Sequence, residues 1–309
     1  MEIPDRLKGL YKHWSKHTLA QVKYDEKVLI DLEVLESIRQ FAIERMLVWE
    51  RKESGKSAPF TKDPILHKQR FCNIYRELDR QTIETHLLLE SLLSTPSVWL
   101  LNLMYCRLAC NPITVKNTGL LNFNENENLK VYQRLIEHPR PKYGTAYVFP
   151  INAIAKTGFP TREEFFCLYL PKLARKLWAE IEQFNETSVN TALERILPLL
   201  GVNLKFHMTE VLIDVAYQFP EKINLHKDFH IGPGAIPTLK LLSHSADPDA
   251  LLNYLATIEL EDFPYLTYNG VGVALSAENW EGIACEYRKY CNYKAGRGRS
   301  RLYIQPQQG

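Results

Sequence analysis

The chain has 309 residues, 45% hydrophobic and 24% charged, with a formal net charge of +2 at pH 7, enough apolar material for one large domain or two joined ones. So small a net charge excludes a polycationic nucleic-acid binder and leaves only local basic patches for such a role. No apolar run approaches the roughly 20 residues that cross a bilayer, and Met1-Glu2-Ile3-Pro4-Asp5 has no signal-peptide character. Cys72, Cys106, Cys110, Cys167, Cys285 and Cys291 contain no CxxC pair and read as reduced thiols. The expectation is therefore a soluble cytoplasmic protein with no membrane partner.

In chain order, Leu35, Ile38, Ala42, Met46 and Trp49 recur at spacings of three and four, which predicts one buried helix face. That helix should stop in the polar breaker Ser54-Gly55-Lys56-Ser57-Ala58-Pro59. A second helix is expected after Pro64, carrying Arg70 to Glu90 and continuing or restarting through the apolar segment around Trp99 to Leu108. Residues 111–127, rich in Asn and Glu, read as a loop or short polar insertion. Tyr147-Val148-Phe149-Pro150 reads as a short strand or extended connector. Thr161 and Glu164 form the capping-box pattern at a helix start, and helices are expected at 161–184, 187–199, 205–218 and 276–293. There is no internal repeat. The class is all-α with minor extended pieces, divided into an N-terminal extension over 1–35 and a helical domain over 36–309.

Three segments carry residues suited to chemistry. On a helix, Asn73, Arg76 and Arg80 would share one face and Arg70, Asn73 and Glu77 an overlapping one. Arginines so arranged clamp a phosphate or pyrophosphate bidentately, or else belong to a solvated face laced with ion pairs. In Phe229-His230-Ile231-Gly232-Pro233-Gly234-Ala235 a Gly-x-Gly turn lets backbone amides approach a phosphate at a helix start, as in a helix–hairpin–helix element, or makes an ordinary turn. In Cys285-Glu286-Tyr287-Arg288-Lys289-Tyr290, a carboxylate and an ammonium three residues apart suit a base with a cation beside it, or a structural ion pair. Lys294, Arg297, Arg299 and Arg301, interleaved with Tyr290, Tyr293 and Tyr303, suit phosphate contacts and base stacking.

Other signals are weaker. Gly55-Lys56-Ser57 mimics the end of a P-loop, but Glu50 holds the upstream glycine position and no strand precedes it. His13 with His17, and His226 with His230, have the spacing of metal pairs but no third ligand, so surface or capping histidines are the simpler reading. Cys285 and Cys291 lack two further cysteines, so no iron–sulfur loop is present.

Ile43-Glu44-Arg45 with Trp49-Glu50-Arg51, Phe60-Thr61-Lys62-Asp63-Pro64-Ile65-Leu66 and the run Arg70 to Arg80 together resemble the helical domain of 5-hydroxymethyluracil DNA kinases. They equally resemble the related alpha-glutamyl/putrescinyl thymine pyrophosphorylases, the amino acid:DNA transferases. Ile231-Gly232-Pro233-Gly234-Ala235 and Cys285 to Tyr290 follow in the same order, and the likeness runs from about residue 36 to the end. It implies a fold related to helix–hairpin–helix DNA glycosylases and a role in phage-type thymidine hypermodification. In that pathway a kinase pyrophosphorylates the 5-hydroxymethyl group of uracil in DNA, and a transferase replaces the pyrophosphate with an amine. Since the chain carries no P-loop, the transferase step is the expectation. Its partners would be DNA containing modified thymine, a free amino acid or polyamine, and a 5-hydroxymethyluracil DNA kinase.

On that reading the base is flipped into a pocket. Arg70, Asn73, Arg76 and Arg80 bind the departing pyrophosphate. Glu286, or alternatively Asp214, deprotonates the amine, and Lys289 holds a carboxylate or the pyrophosphate. Gly232, Gly234, Arg297 and Arg299 contact the DNA strand. No cofactor is required by the sequence, and a divalent metal on the pyrophosphate is compatible with it. Glycosylases keep a catalytic Asp beyond the hairpin; Asp247 and Asp249 lie roughly there, but in what reads as a Pro-containing loop. A modified-base glycosylase and a non-catalytic DNA-binding module delivering a kinase are the competing readings.

Overall fold

Amphipathic helices built on period-3.6 patterns make up most of the computed structural model, which describes residues 1–18, 28–145 and 149–298. The all-α expectation holds. The chain divides into two units, one of residues 1–79 and 225–309, the other of residues 80–224.

The first unit opens with α1 (Asp5–Thr18), which buries Leu7, Leu10, Tyr11 and Trp14. Ahead of it Ile3 donates its amide to Thr267 O at 2.8 Å, so residues before 36 join this unit's core. Helix α2 (Leu32–Glu53) is capped by the Asp31 carboxylate, which accepts from the amides of Glu33 and Val34. It buries the five residues of the expected stripe, and it ends at Ser54 and Gly55 as expected, the glycine taking a φ of +67°. Helix α3 (Pro64–Lys68) follows, capped by Asp63.

Of the helix expected over Arg70 to Glu90 only the second half forms, from Arg80 to Leu89; the first half does not. Arg70 to Tyr75 are irregular, and a 3-10 turn follows at Arg76–Leu78. The physical reason lies in side chains that take the place of helical hydrogen bonds. Arg45 on α2 donates to the carbonyls of Phe71 (3.1 Å) and Cys72 (3.0 Å), while the amides of Cys72 and Asn73 donate to the carboxylates of Glu286 and Asp79, each at 2.9 Å. Peptide groups satisfied in this way gain nothing further from a helix.

The second unit contains α4 (Arg80–Leu89), α5 (Pro96–Ala109), α6 (Pro112–Thr118), α7 (Glu125–Glu137), α8 (Ile151–Ile154), α9 (Arg162–Glu164), α10 (Leu170–Ile181), α11 (Val189–Leu200) and α12 (Lys205–Gln218). Helix α5 is buried on every side from Trp99 to Ala109, packed by α4, α6, α10 and α12, as an all-round apolar helix must be. The expected loop or short polar insertion at 111–127 holds all of α6 and the start of α7: Asn111 caps α6 and Asn124 caps α7, so asparagines read as loop residues are helix signals. The Thr161/Glu164 capping box is formed, and a π turn at Phe165–Tyr169 joins α9 to α10. Two short strands, β1 (Thr187–Ser188) and β2 (Ile223–Asn224), pair in parallel. Tyr147 and Val148 lie outside the described residues, and Phe149 and Pro150 have no regular structure.

The first unit resumes with α13 (Ile236–Leu242), α14 (Pro248–Leu255) and a hairpin of β3 (Thr267–Tyr268) and β4 (Val271–Gly272). Its two-residue turn, Asn269-Gly270, has positive φ at both positions, the conformation this pair favours. Asp247 and Asp249 are not in a loop: Asp247 caps α14 and Asp249 sits in its first turn. The closing helix α15 (Ala277–Lys294) is started by a Ser276/Asn279 capping box and packs against α2, α3, α13 and α14.

Candidate active site

The segment Arg70–Asp79 lies against α2 and α15, and each contributes a charge to it. Arg45 stands in register with the buried stripe of α2 and is itself buried. Besides the two carbonyls it binds Asn73 Oδ1 at 2.6 Å, so Asn73 serves to hold this loop. From α15, Glu286 Oε2 accepts from Cys72 N (2.9 Å) and from Lys289 Nζ (2.5 Å). The expected i, i+3 pair therefore forms, with Glu286 the less exposed partner. Both bonds fall on Oε2, and among the described residues no hydrogen bond falls on Oε1.

An aromatic cluster supports these charges. The Phe71 ring packs against Phe41, Tyr290 and Tyr293, and Lys289 Nζ lies 4.6 Å from its centroid. Tyr290 donates to Asp63 Oδ2 at 2.6 Å, and Tyr287 bonds Ser37 at 2.7 Å. Arg76 is half-buried with Nε 4.0 Å from the buried Glu278. Burial pushes the Asp79 carboxyl up to about 6; the Asn73 amide, Arg45 and Arg76 oppose the rise and Glu286 adds to it. The group is thus three cations, Arg45, Arg76 and Lys289, interleaved with Asp79, Glu278 and Glu286.

The other expected residues fall elsewhere. Arg70 is exposed. Glu77 turns inward, is 1% exposed, and accepts from Tyr11 Oη at 3.1 Å. Arg80 opens the second unit and pairs with Glu84 at 3.4 Å across one helical turn. Asp214, also in the second unit, is fully buried: Arg107 grips it through Nε and Nη2 at 2.5 and 2.6 Å, His86 Nε2 lies 3.1 Å away, and Arg107 also binds Thr82.

Gly234 has a packing reason for being glycine, while Gly232 is held through its amide. The Gly232 amide donates to Glu281 Oε1 at 3.1 Å, and a Cβ on Gly234 would meet Cys285 Sγ at 2.4 Å. Their turn leads into α13, but β2 and the stretch 219–235 separate it from α12, so it is not a tight turn between two helices. Arg297 is exposed just beyond α15; Arg299, Arg301 and Tyr303 lie outside the described residues.

Among the described residues no group of three or more His, Cys, Asp or Glu is placed to hold a metal ion. His226 is buried, not at the surface. All six cysteines are unbridged, and no described helix is long and apolar enough to cross a membrane. Gly55-Lys56-Ser57 directly follows the helix α2, where a P-loop follows a strand.

Sequence reasoning assigned no role to Arg45, Asp79 or Arg107. The signal was present for the arginines: each is a lone cation within an otherwise apolar helical stripe, which demands a buried partner.

The family model described as "5-hmdU DNA kinase, helical domain" matches residues 32–299. No curated protein and no solved structure matches the chain.

Proposed function

The chain belongs to the 5-hmdU DNA kinase helical-domain family, and on that premise we propose that it replaces the pyrophosphate of pyrophosphorylated 5-hydroxymethyluracil in DNA with an amino acid or other amine. The observation that carries this reading is Glu286, which bonds Lys289 and the Cys72 amide through one oxygen while the other makes no hydrogen bond among the described residues. In the reaction the bond from the 5-methylene to the pyrophosphate oxygen breaks and a bond to the amine nitrogen forms. The amine's proton passes to Glu286 Oε1, and pyrophosphate leaves.

Arg76 and Lys289, with the exposed Arg70, would neutralise the growing charge on the leaving group. Arg80 belongs to the other unit and its own ion pair, so the clamp is assigned to the first two arginines. Asp214 has its carboxylate taken by Arg107 and His86, which leaves Glu286 as the base. With the Gly232 amide engaged by Glu281, strand contacts are assigned to the basic segment that follows α15, Arg297 and onward to Arg299. No metal is assigned a step.

A second reading has an observation of its own: the matching family is named for a domain of a kinase, and the chain has no P-loop at Gly55-Lys56-Ser57. A non-catalytic module that brings a kinase to DNA fits this equally, with DNA and that kinase as partners.

Nucleoside mass spectrometry of DNA bearing pyrophosphorylated 5-hydroxymethyluracil, incubated with the protein and mixed amino acids, separates the two. A new nucleoside carrying an amino acid at the methylene supports transfer, and Arg76→Ala should then abolish it with the helical circular-dichroism signal intact. Unchanged nucleosides favour the kinase-delivery module, and abasic sites a glycosylase.

A further inference from the structure

Residues 140–143, with Ile151 and residues 160–163, wall a cleft of about 620 Å³ in the second unit, within the usual size range of small-molecule sites. We infer that this cleft binds the phosphate and base of a nucleotide.

Its charges do not balance. Lys142 and Glu163 face each other at 3.6 Å and neutralise one another. Arg140 is exposed on the rim, and the Arg162 guanidinium lies over the rings of Tyr143 and Phe149, at 5.0 and 4.6 Å from their centroids. Aromatic faces attract a cation but do not cancel its charge. Among the described residues neither arginine has a carboxylate partner, and a recess with two such cations concentrates anions.

The recess is also built before any ligand arrives. The Lys142 carbonyl accepts from Thr114 Oγ1 at 2.7 Å, and Gly144 N donates to Ala109 O at 3.0 Å. A Cβ on Gly144 would stand 2.1 Å from Cys110 O, so only glycine lets this segment lie so close to the end of α5. The opposite wall is held by the Thr161/Glu164 capping box. Walls pinned in this way lose little freedom on binding.

The composition selects the ligand. Inorganic phosphate would leave the apolar wall of Tyr143 and half-exposed Ile151 in water, and an amino-acid carboxylate would satisfy one arginine of the two. A nucleotide covers the apolar wall with its base and offers phosphate oxygens that guanidinium groups bind bidentately. The nucleotide can come from a DNA strand or be free in solution, and nothing about the cleft depends on the reaction assigned to Glu286.

The test uses the full chain with two probes: anisotropy of a fluorescein-labelled oligothymidylate over a salt series, and calorimetry with thymidine monophosphate. Arg140→Glu changes an exposed side chain, Arg162→Gln removes the inner charge, and Lys176→Glu makes the same charge change on the exposed face of α10. If a strand occupies the cleft, Arg140→Glu and Arg162→Gln weaken oligonucleotide binding about tenfold and flatten the log–log salt dependence by about 0.7 per phosphate no longer neutralised. If the occupant is a free nucleotide, monophosphate binding is abolished in both variants and oligonucleotide binding is unchanged. The proposal is overturned if both variants bind both probes as the parent does, or if Lys176→Glu weakens binding equally.

Discussion

Two buried arginines, one in each unit, have partners of different kinds. Arg107 meets a carboxylate edge to edge and keeps one bond for Thr82, so that charge, donors and acceptors are all used within a closed core. Arg45 donates to two carbonyls and an amide oxygen of the Arg70–Asp79 segment, and its charge acts on the Asp79 carboxyl. The first arrangement is a saturated ion pair of the sort that holds a fold. The second orders a loop, with Asp79, Glu286, Lys289 and Arg76 gathered at its half-buried edge. Charged groups held in an ordered, partly open place are ones a ligand can meet; a pair saturated inside a core offers it nothing.

That contrast is open to being broken. The largest effect is expected for Arg107→Ala, which strands the Asp214 carboxylate in the core and should lower stability by about 3–5 kcal/mol. Urea unfolding of the full chain reads this directly, and a drop below about 1 kcal/mol would mean that the pair is not the anchor described.

Glu77 sharpens the comparison from within the first unit, as a buried carboxyl whose Oε2 makes no hydrogen bond among the described residues. Burial raises it from the ordinary 4.5 to about 7, with the Tyr11 hydroxyl opposing the rise. The native state therefore keeps a proton that the unfolded chain releases. Stability from this group is complete below the unfolded value and declines as pH rises to about 7, by about 3 kcal/mol in all. Glu77→Gln should flatten that decline between about pH 5 and pH 8; an unchanged pH dependence in the variant would acquit Glu77.

The smallest stability change of the three is expected for Arg45→Met, about 2 kcal/mol from the removal of its hydrogen bonds. Its functional effect should nonetheless be large. A displaced Arg70–Asp79 segment should cut transfer about 100-fold, whereas Arg107→Ala, in whatever fraction stays folded, should leave the rate per folded molecule nearly unchanged. Equal reductions in both variants would erase the distinction between a site and a core.

Local signals in the sequence hold where they act locally. The stripe from Leu35 to Trp49, the capping box at Thr161, and the i, i+3 approach of Glu286 to Lys289 each depend on neighbours a turn or two away, and each forms as expected. The same logic misreads Asn111 and Asn124 because an asparagine that caps a helix and one that sits in a loop present the same residue type. Helical spacing also misassigns Arg70 to Arg80, since it assumes that backbone groups seek their own i−4 partners. Here Arg45 and Glu286, 27 and 214 residues away from Cys72, have already taken them.

By itself the amino-acid sequence determined the helical class, most helix positions, and the adjacency of Glu286 and Lys289, because these follow from backbone geometry and the hydrophobic period. Tertiary structure alone decided which acid is spent and which remains available. Asp214 and Glu286 look alike on paper, each a carboxylate on a helix. A guanidinium 107 residues away along the chain saturates the first in the second unit's core, while the second, on α15, keeps an oxygen clear of hydrogen bonds among the described residues. Desolvation and long-range pairing set the availability of a charge, and neither is encoded in local spacing.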